Sequence, residues 1–195
     1  MTRTPKAKLH VLETAQRLVA ERGTGALTFD ALSDASGVTR GGITYHFPTK
    51  LDLLKALVAR DMQQWAETER SLAPEGLPEK TASVVAAIRS STTKTPEYRK
   101  FVSGMIGAAM LEPDLLDSVR EFHQEHFAEY VWDETDLRLM MLRLAAEGLF
   151  WMETFDCYHI PAEPRARLAE MMESMALHWA QAAEHQSNCE NNHED

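Results

Sequence analysis

The chain has 195 residues, enough for a small head and a second core of ordinary domain size. No apolar run is long enough to span a bilayer, and the start MTRTPKAKLH lacks the apolar stretch of a signal peptide, so a cytoplasmic protein without a membrane partner is expected. The net charge of −10 is divided unevenly: residues 1–60 hold nine Lys/Arg against five Asp/Glu, a net of +4, whereas residues 61–195 hold eleven against twenty-five, a net of −14.

From the N-terminus, Thr2 to Lys8 reads as a short basic arm or as a solvated terminus, and KLHVLETAQRLVAERG follows as a first helix. Thr28 is placed to cap a second helix, with Asp30 in its first turn complementing the helix dipole. Phe29, Leu32 and Ala35 recur near helical spacing. Ser36-Gly37-Val38 breaks that helix, because Gly37 can take a left-handed backbone without steric cost. Thr39 caps a third helix, which ends near His46 because Pro48 disfavours helical geometry at Phe47. Phe29, Leu32, Val38, Ile43, Tyr45 and Phe47 can form a small core, leaving Thr39, Arg40, Thr44, His46 and Lys50 facing outward. So short a helix must be held by its neighbours, as the second helix of a helix-turn-helix is when it lies in the major groove.

Gly41 and Gly42 cost this helix about 1 kcal/mol each relative to alanine. Either the helix is poorly formed, or side chains are absent so that backbone can approach DNA closely. Arg40 is the candidate for a bidentate contact to guanine, and the capping hydroxyls of Thr28 and Thr39 suit phosphate oxygens.

The string GVTRGGITYHFPTKLDLL, with helix one before it, resembles the operator-binding segment of the tetracycline-repressor (TetR) family over about the first sixty residues. The resemblance implies an all-α, homodimeric, ligand-responsive DNA-binding protein. By position it carries phosphate contacts onto Thr28, Thr39, Tyr45 and Lys50, and contacts to bases or nearby backbone onto Arg40, Gly41, Thr44 and His46. Members often have a large apolar residue where this chain has Thr44. The basic head and acidic body then acquire a sense, since the body is repelled from the duplex; the acidic surface serves solubility as well.

A fourth helix from Asp52 to Glu69 is followed by the Pro- and Gly-rich break SLAPEGLP at residues 71–78. By the resemblance this helix is shared between head and body. The division expected is a DNA-binding domain over 1–55, a ligand-binding and dimerisation domain over 56–185 and a disordered tail over 186–195. Further helices are read near 78–93, 97–111, 113–131, 134–155 and 163–185, about nine in all, with no β-alternation.

The last two long helices carry more apolar surface than one face can use. Leu137, Met141, Leu144, Gly148, Trp151 and Phe155 follow one face of the first, and Leu139, Leu142, Ala146, Leu149 and Phe150 another. Leu168, Met171, Met172, Met175, Trp179 and Ala183 form a stripe on the second. Pairing with the same helices of a second subunit in a four-helix bundle buries both faces, and the resemblance implies the same homodimer. Two reading helices about 34–36 Å apart, or a little more, would then meet a palindromic operator.

Trp65, Phe101, Met105, Met110, Phe122, Phe127, Met140 and Trp151 are the candidates for a Met- and aromatic-rich effector cavity; each singly also suits a core position. Glu147, within LMMLRLAAEGLFWM, either pairs with Arg143, pairs across a dimer, faces a cationic ligand or stays in solvent. No cofactor and no catalytic string such as GxSxG or HExxH is read. Three alternatives stand beside a repressor. One is an activator or ligand-independent DNA binder, another an enzyme using Cys157 and His159. The third is a metal site on His185, Cys189 and His193, against which the polar tail is read as disordered. Cys157 and Cys189 lack disulfide or zinc-finger spacing and are expected as free thiols.

Overall fold

The computed structural model describes residues 4–191, and side chains over 6–182. Among the described residues are nine α-helices and no strand: α1 Thr4–Arg22, α2 Phe29–Ser36, α3 Arg40–His46, α4 Lys50–Leu72, α5 Glu79–Thr92, α6 Pro96–Ala109, α7 Asp117–His126, α8 Glu134–Thr154 and α9 Ala162–Asn191. Short 3-10 turns at Thr24–Ala26 and Pro113–Leu116 precede α2 and α7. The helix expected over 113–131 is thus shorter, with a 3-10 entry and an end at His126. Thr4 to Lys8 belong to α1 rather than to an arm, and Met1–Arg3 lie outside the described residues. The backbone of α9 continues to Asn191, six residues into the stretch read as tail; the proposed metal-ligand side chains of His185, Cys189 and His193 lie outside those described.

The chain forms two compact units that do not follow its order: residues 1–65 with 95–128, and residues 66–94 with 129–195. In the first, Val11, Leu12, Ala15, Leu18 and Val19 on one face of α1 are buried with Leu27, Leu32, Ile43, Phe47, Leu53 and Leu57. α6 packs closely on α1 because Gly104 has no side chain: a Cβ there would stand 3.0 Å from Cγ1 of Val19. Arg60 of α4 donates to Gln16 Oε1 (3.0 Å) and Glu13 Oε1 (3.4 Å) on α1.

The second unit is built on α5, α8 and α9. Val84, Val85 and Ile88 of α5 meet Leu139, Leu142 and Ala146 of α8 and Met172 and Ala176 of α9. In the first turn of α8, the buried Asp136 carboxylate gathers the chain. It accepts from the backbone N–H groups of Val131 (2.7 Å) and Trp132 (3.0 Å) and from Lys80 Nζ of α5 (2.8 Å). Trp132 takes a left-handed φ of 60° within this knot.

Burial alone would raise the Asp136 pKa, but the Lys80 hydrogen bond and the two backbone N–H donors outweigh it, and the carboxyl titrates below its ordinary 3.8. Lys80 is raised above its ordinary 10.5, chiefly by that same hydrogen bond. The depressed acid contributes stability above about pH 4 that is lost as pH falls through its folded value; the raised base contributes below about pH 10 and loses it as pH climbs through its own. Asp136→Asn is therefore expected to flatten the acid limb of a stability–pH curve below pH 4. An acid limb identical to the parent's would show that another group sets it.

Candidate nucleic-acid interface

The α2–α3 segment is set by local interactions that the sequence prescribes. Thr28 Oγ1 accepts from Ala31 N (3.1 Å) and Thr39 Oγ1 from Gly42 N (3.2 Å), so both helix starts are capped. Gly37 has φ 69°, and its N–H donates to Ser33 O at 2.9 Å, closing α2. Ser33 Oγ donates to Val38 O (2.8 Å) and Val38 N to Ser36 Oγ (3.2 Å), stitching the turn from both sides. At the far end, Thr49 and Asp52 form a reciprocal cap on α4: Thr49 N donates to Asp52 Oδ2 (2.9 Å) and Asp52 N to Thr49 Oγ1 (3.1 Å).

Ile43 of α3 and Phe47 at its C-cap lie one turn apart and are buried. Tyr45, between them, projects the opposite way and is 78% exposed, so the expectation that it joins the small core is corrected: two helical steps turn a side chain by about 200°. Thr28, Thr39, Arg40, Gly41 and Lys50 are exposed with it, and Thr44 and His46 are half-buried beside them. Sequence reading missed Leu27, fully buried, which anchors the entry to α2.

The two glycines of α3 differ. A Cβ on Gly42 would meet Val38 Cγ1 at 3.1 Å and the capping Thr39 Oγ1 at 3.3 Å, so packing alone calls for glycine there. A Cβ on Gly41 would meet nothing within 4 Å; bare backbone faces open space. Thr44 Oγ1 turns back on its own helix, donating toward Arg40 O (3.1 Å) and Gly41 O (3.2 Å). Lys50 Nζ donates to Thr24 O at 2.6 Å, which holds its ammonium beside the α1–α2 connection. Arg40 Nη1 is engaged by Asp30 Oδ1 at 2.5 Å, a partner not expected from sequence although Asp30 sits in the first turn of α2.

The candidate effector residues fall into two groups. In the first unit Phe101 and Met105 are buried, Trp65, Phe122 and Phe127 are half-buried, and Met110 is 81% exposed, on the surface and not in a cavity wall. Trp65, Tyr98 and Phe101 form a ring chain with centroids 6.4 Å apart, and Tyr98 Oη donates to Asp61 Oδ2 at 3.1 Å. Burial first, and Asp61 second, hold the Tyr98 hydroxyl far above its ordinary range. Phe122 stacks on His126 and Phe127 on His123 along α7.

In the second unit Met140, Glu147 and Trp151 are half-buried on α8. Of the alternatives for Glu147, pairing with Arg143 on the same helix is observed, Nε to Oε1 at 3.1 Å. The deeply buried member is Arg143, its side chain 2% exposed, which also reaches Glu69 Oε1 of α4 at 3.4 Å. A signal was present: Asp136, Leu139, Arg143, Ala146 and Phe150 follow one helical stripe, and all are buried. Cys157 and His159 are both exposed, and the Cys157 thiol lies 3.8 Å from Phe155 O.

Two short helices capped by threonine and joined through a left-handed glycine, with the second exposing arginine, bare backbone and tyrosine, define the helix-turn-helix regulator class. Residues 11–57 match the model of the bacterial regulatory proteins of the tetR family, and residues 81–177 match a tetracyclin repressor-like C-terminal domain. The chain belongs to the TetR family of transcriptional regulators, and it is not an enzyme. It is 21% identical over 126 residues to the HTH-type transcriptional regulator SrpR of Pseudomonas putida, an alignment covering 65% of this chain and 58% of the relative. It is 39% identical over 62 residues to the HTH-type transcriptional repressor AcnR of Corynebacterium efficiens, covering 32% and 33%. Both alignments span less than two thirds of the relative's own length. A TetR-family member from Streptomyces coelicolor A3 shares the fold, with a TM-score of 0.66 at 17% identity over 88% of this chain and 98% of that one. No helix among the described residues is long and apolar enough to cross a membrane.

Proposed function

We infer that this chain is a homodimeric, sequence-specific DNA-binding repressor, released from a palindromic operator by a small hydrophobic ligand. The observation that carries the reading is the exposed set Thr28, Thr39, Arg40, Gly41, Tyr45 and Lys50, presented at α2, α3 and the start of α4 within residues 1–60, whose net charge is +4. Arg40 serves as the base reader, with Gly41, Thr44 and His46 facing bases or nearby backbone; Thr28, Thr39, Tyr45 and Lys50 serve as phosphate contacts that fix register. The proposed division of labour assigns residues 1–55 to DNA and 56–185 to ligand and dimer. The name of AcnR as a repressor supports the sign. The second copy is supported by the apolar residues that α8 and α9 leave exposed, among them Leu137, Met141 and Leu144 of α8 and Met171 of α9.

For the effector, a cationic form is proposed from the two carboxylates, Glu69 and Glu147, that flank the Arg143 guanidinium. Trp65, Phe101, Met105, Phe122 and Phe127 in the first unit, and separately Met140 and Trp151 in the second, remain candidates for apolar contact, with Met110 a surface position. A thermal-shift screen in which only neutral or anionic compounds stabilise the protein would remove the cationic form.

The direct test is selection of genomic fragments at about physiological salt, where non-specific binding is weak. A few enriched palindromic sites are expected for the parent. Arg40→Ala is expected to lose about 1–3 kcal/mol and relax specificity, whereas Lys50→Ala weakens all sequences about equally and flattens the salt dependence. If both variants bind the selected site as tightly as the parent, the assignment of this surface is wrong.

A further inference from the structure

We propose that Asp30 is a specificity-determining residue: its carboxylate occupies one side of the Arg40 guanidinium, so that Arg40 reads a guanine edge and not a phosphate. The inference rests on the DNA-facing reading of α2 and α3 given above. The two side chains come from different helices, Asp30 from the first turn of α2 and Arg40 from the first residue of α3, and meet at 2.5 Å. They are 74% and 60% exposed, so the pair sits on the accessible surface that Tyr45 and Gly41 share. An exposed pair of this kind adds little to folding stability. Its consequence is electrostatic and geometric.

An arginine alone beside two capping threonines is a general anion hook. It neutralises a phosphate as readily as it bonds a base, and such contacts carry no sequence information. With Asp30 attached, the pair has no net charge, and a phosphate oxygen bonded to the remaining N–H groups would face a like charge a few ångströms away. The edge of guanine is neutral. Its O6 and N7 need two N–H donors in one plane, and a guanidinium held through Nη1 still offers Nη2 and Nε for that purpose. Asp30 thus penalises the register in which Arg40 sits on the backbone and leaves the register in which it enters the groove. It also limits which rotamers Arg40 can sample in the free protein, a positioning effect that a lone surface arginine lacks.

The test measures the parent, Asp30→Asn, Asp30→Glu, Arg40→Ala and the Asp30→Asn/Arg40→Ala double variant on the selected site and on a random-sequence duplex, each at several salt concentrations. Asp30→Asn is expected to bind random duplex about five- to tenfold tighter, and to steepen the plot of log affinity against log salt by about 0.9, the value for one added phosphate contact. Its ratio of site to random affinity should fall at least about fivefold, while Asp30→Glu, which restores the carboxylate, keeps the ratio near the parent's. With Arg40 already removed, Asp30→Asn should leave the ratio unchanged. The inference is overturned if Asp30→Asn shifts both duplexes by the same factor, as loss of any negative charge near DNA would. It is also overturned if the ratio falls equally in the Arg40→Ala background, which would mean that Asp30 acts only through α2. A parent that selects no sequence at all defeats the DNA-reading function itself; a parent that selects normally beside an Asp30→Asn variant with an unchanged ratio defeats only the role of Asp30.

Discussion

Arg143→Ala is expected to destabilise the protein by about 3–5 kcal/mol, read as a fall in the urea midpoint at unchanged slope. The side chain is 2% exposed and lies against Glu69, 8% exposed, and Glu147, 27% exposed. Removing the guanidinium takes a buried counter-ion from two carboxylates in a partly dry interior, and opens a cavity the size of a long side chain. The loss is a penalty of broken pairing and does not measure what the group contributes intact. Changing all three together, Arg143→Met with Glu69→Leu and Glu147→Leu, is expected to recover most of the loss, because apolar replacement of a whole buried ion group is often neutral or stabilising. A loss below about 1 kcal/mol for Arg143→Ala would show that water reaches the group freely. If the triple variant is as unstable as the single, shape and not charge governs the site. In either case ligand response in the triple variant tests the proposed cationic effector, since both carboxylates are gone.

That group also marks the limit of what sequence alone made legible. Helix positions were readable because their ends are chemically punctuated: Thr28 and Thr39 as caps, Gly37 as a left-handed stop, and Pro96 at the start of α6. On α3, burying Ile43 and Phe47 turns Gly41 to the opposite face, and Arg40 is exposed as the first residue of the helix. Tyr45 reads as part of the small core because an aromatic side chain weighs toward burial, and only its angular position on α3 turns it outward. Glu147 was singled out as the carboxylate in an apolar run, whereas the buried charges on α8 are Arg143 and Asp136. The helical stripe marks their positions, but their partners Glu69 and Lys80 lie far along the chain and no local pattern announces them. The single stripe read on α9 is divided in the structure: Met172 enters the core, and Leu168, Met171 and Met175 stay exposed. Asp30 was assigned to the helix dipole alone. Its pairing with Arg40 appears only when the turn brings two helix starts together.

In the proposed homodimer, Leu144→Glu is expected to shift the protein from dimer to monomer in sedimentation velocity, raising the dimer dissociation constant at least about a hundredfold, or roughly 3 kcal/mol. Leu144 is 58% exposed in the single chain, so the substitution costs folding little. Leu137, Met141, Met152 and Phe155 are likewise exposed on α8, and Leu168, Met171 and Met175 on α9, while Leu139, Leu142, Met172 and Ala176 on the same helices fill the core. Two helices that bury one face and bare a second apolar face leave a surface suited to its own copy, because a twofold interface brings the same patch from each subunit together. A carboxylate at its centre would be buried twice, once per subunit, beside its symmetry mate. Leu111→Glu provides the comparison: Leu111 is 82% exposed at the end of α6, outside this stripe, so the same chemical change there should leave the dimer intact. Operator affinity should fall with dimerisation in Leu144→Glu and not in Leu111→Glu, since two linked reading helices gain an effective concentration that a single one lacks. A Leu144→Glu protein that remains dimeric would place the subunit contact elsewhere. One that becomes monomeric yet holds the palindromic site as tightly as the parent would show that each head reads DNA independently, and the operator would then need no symmetry.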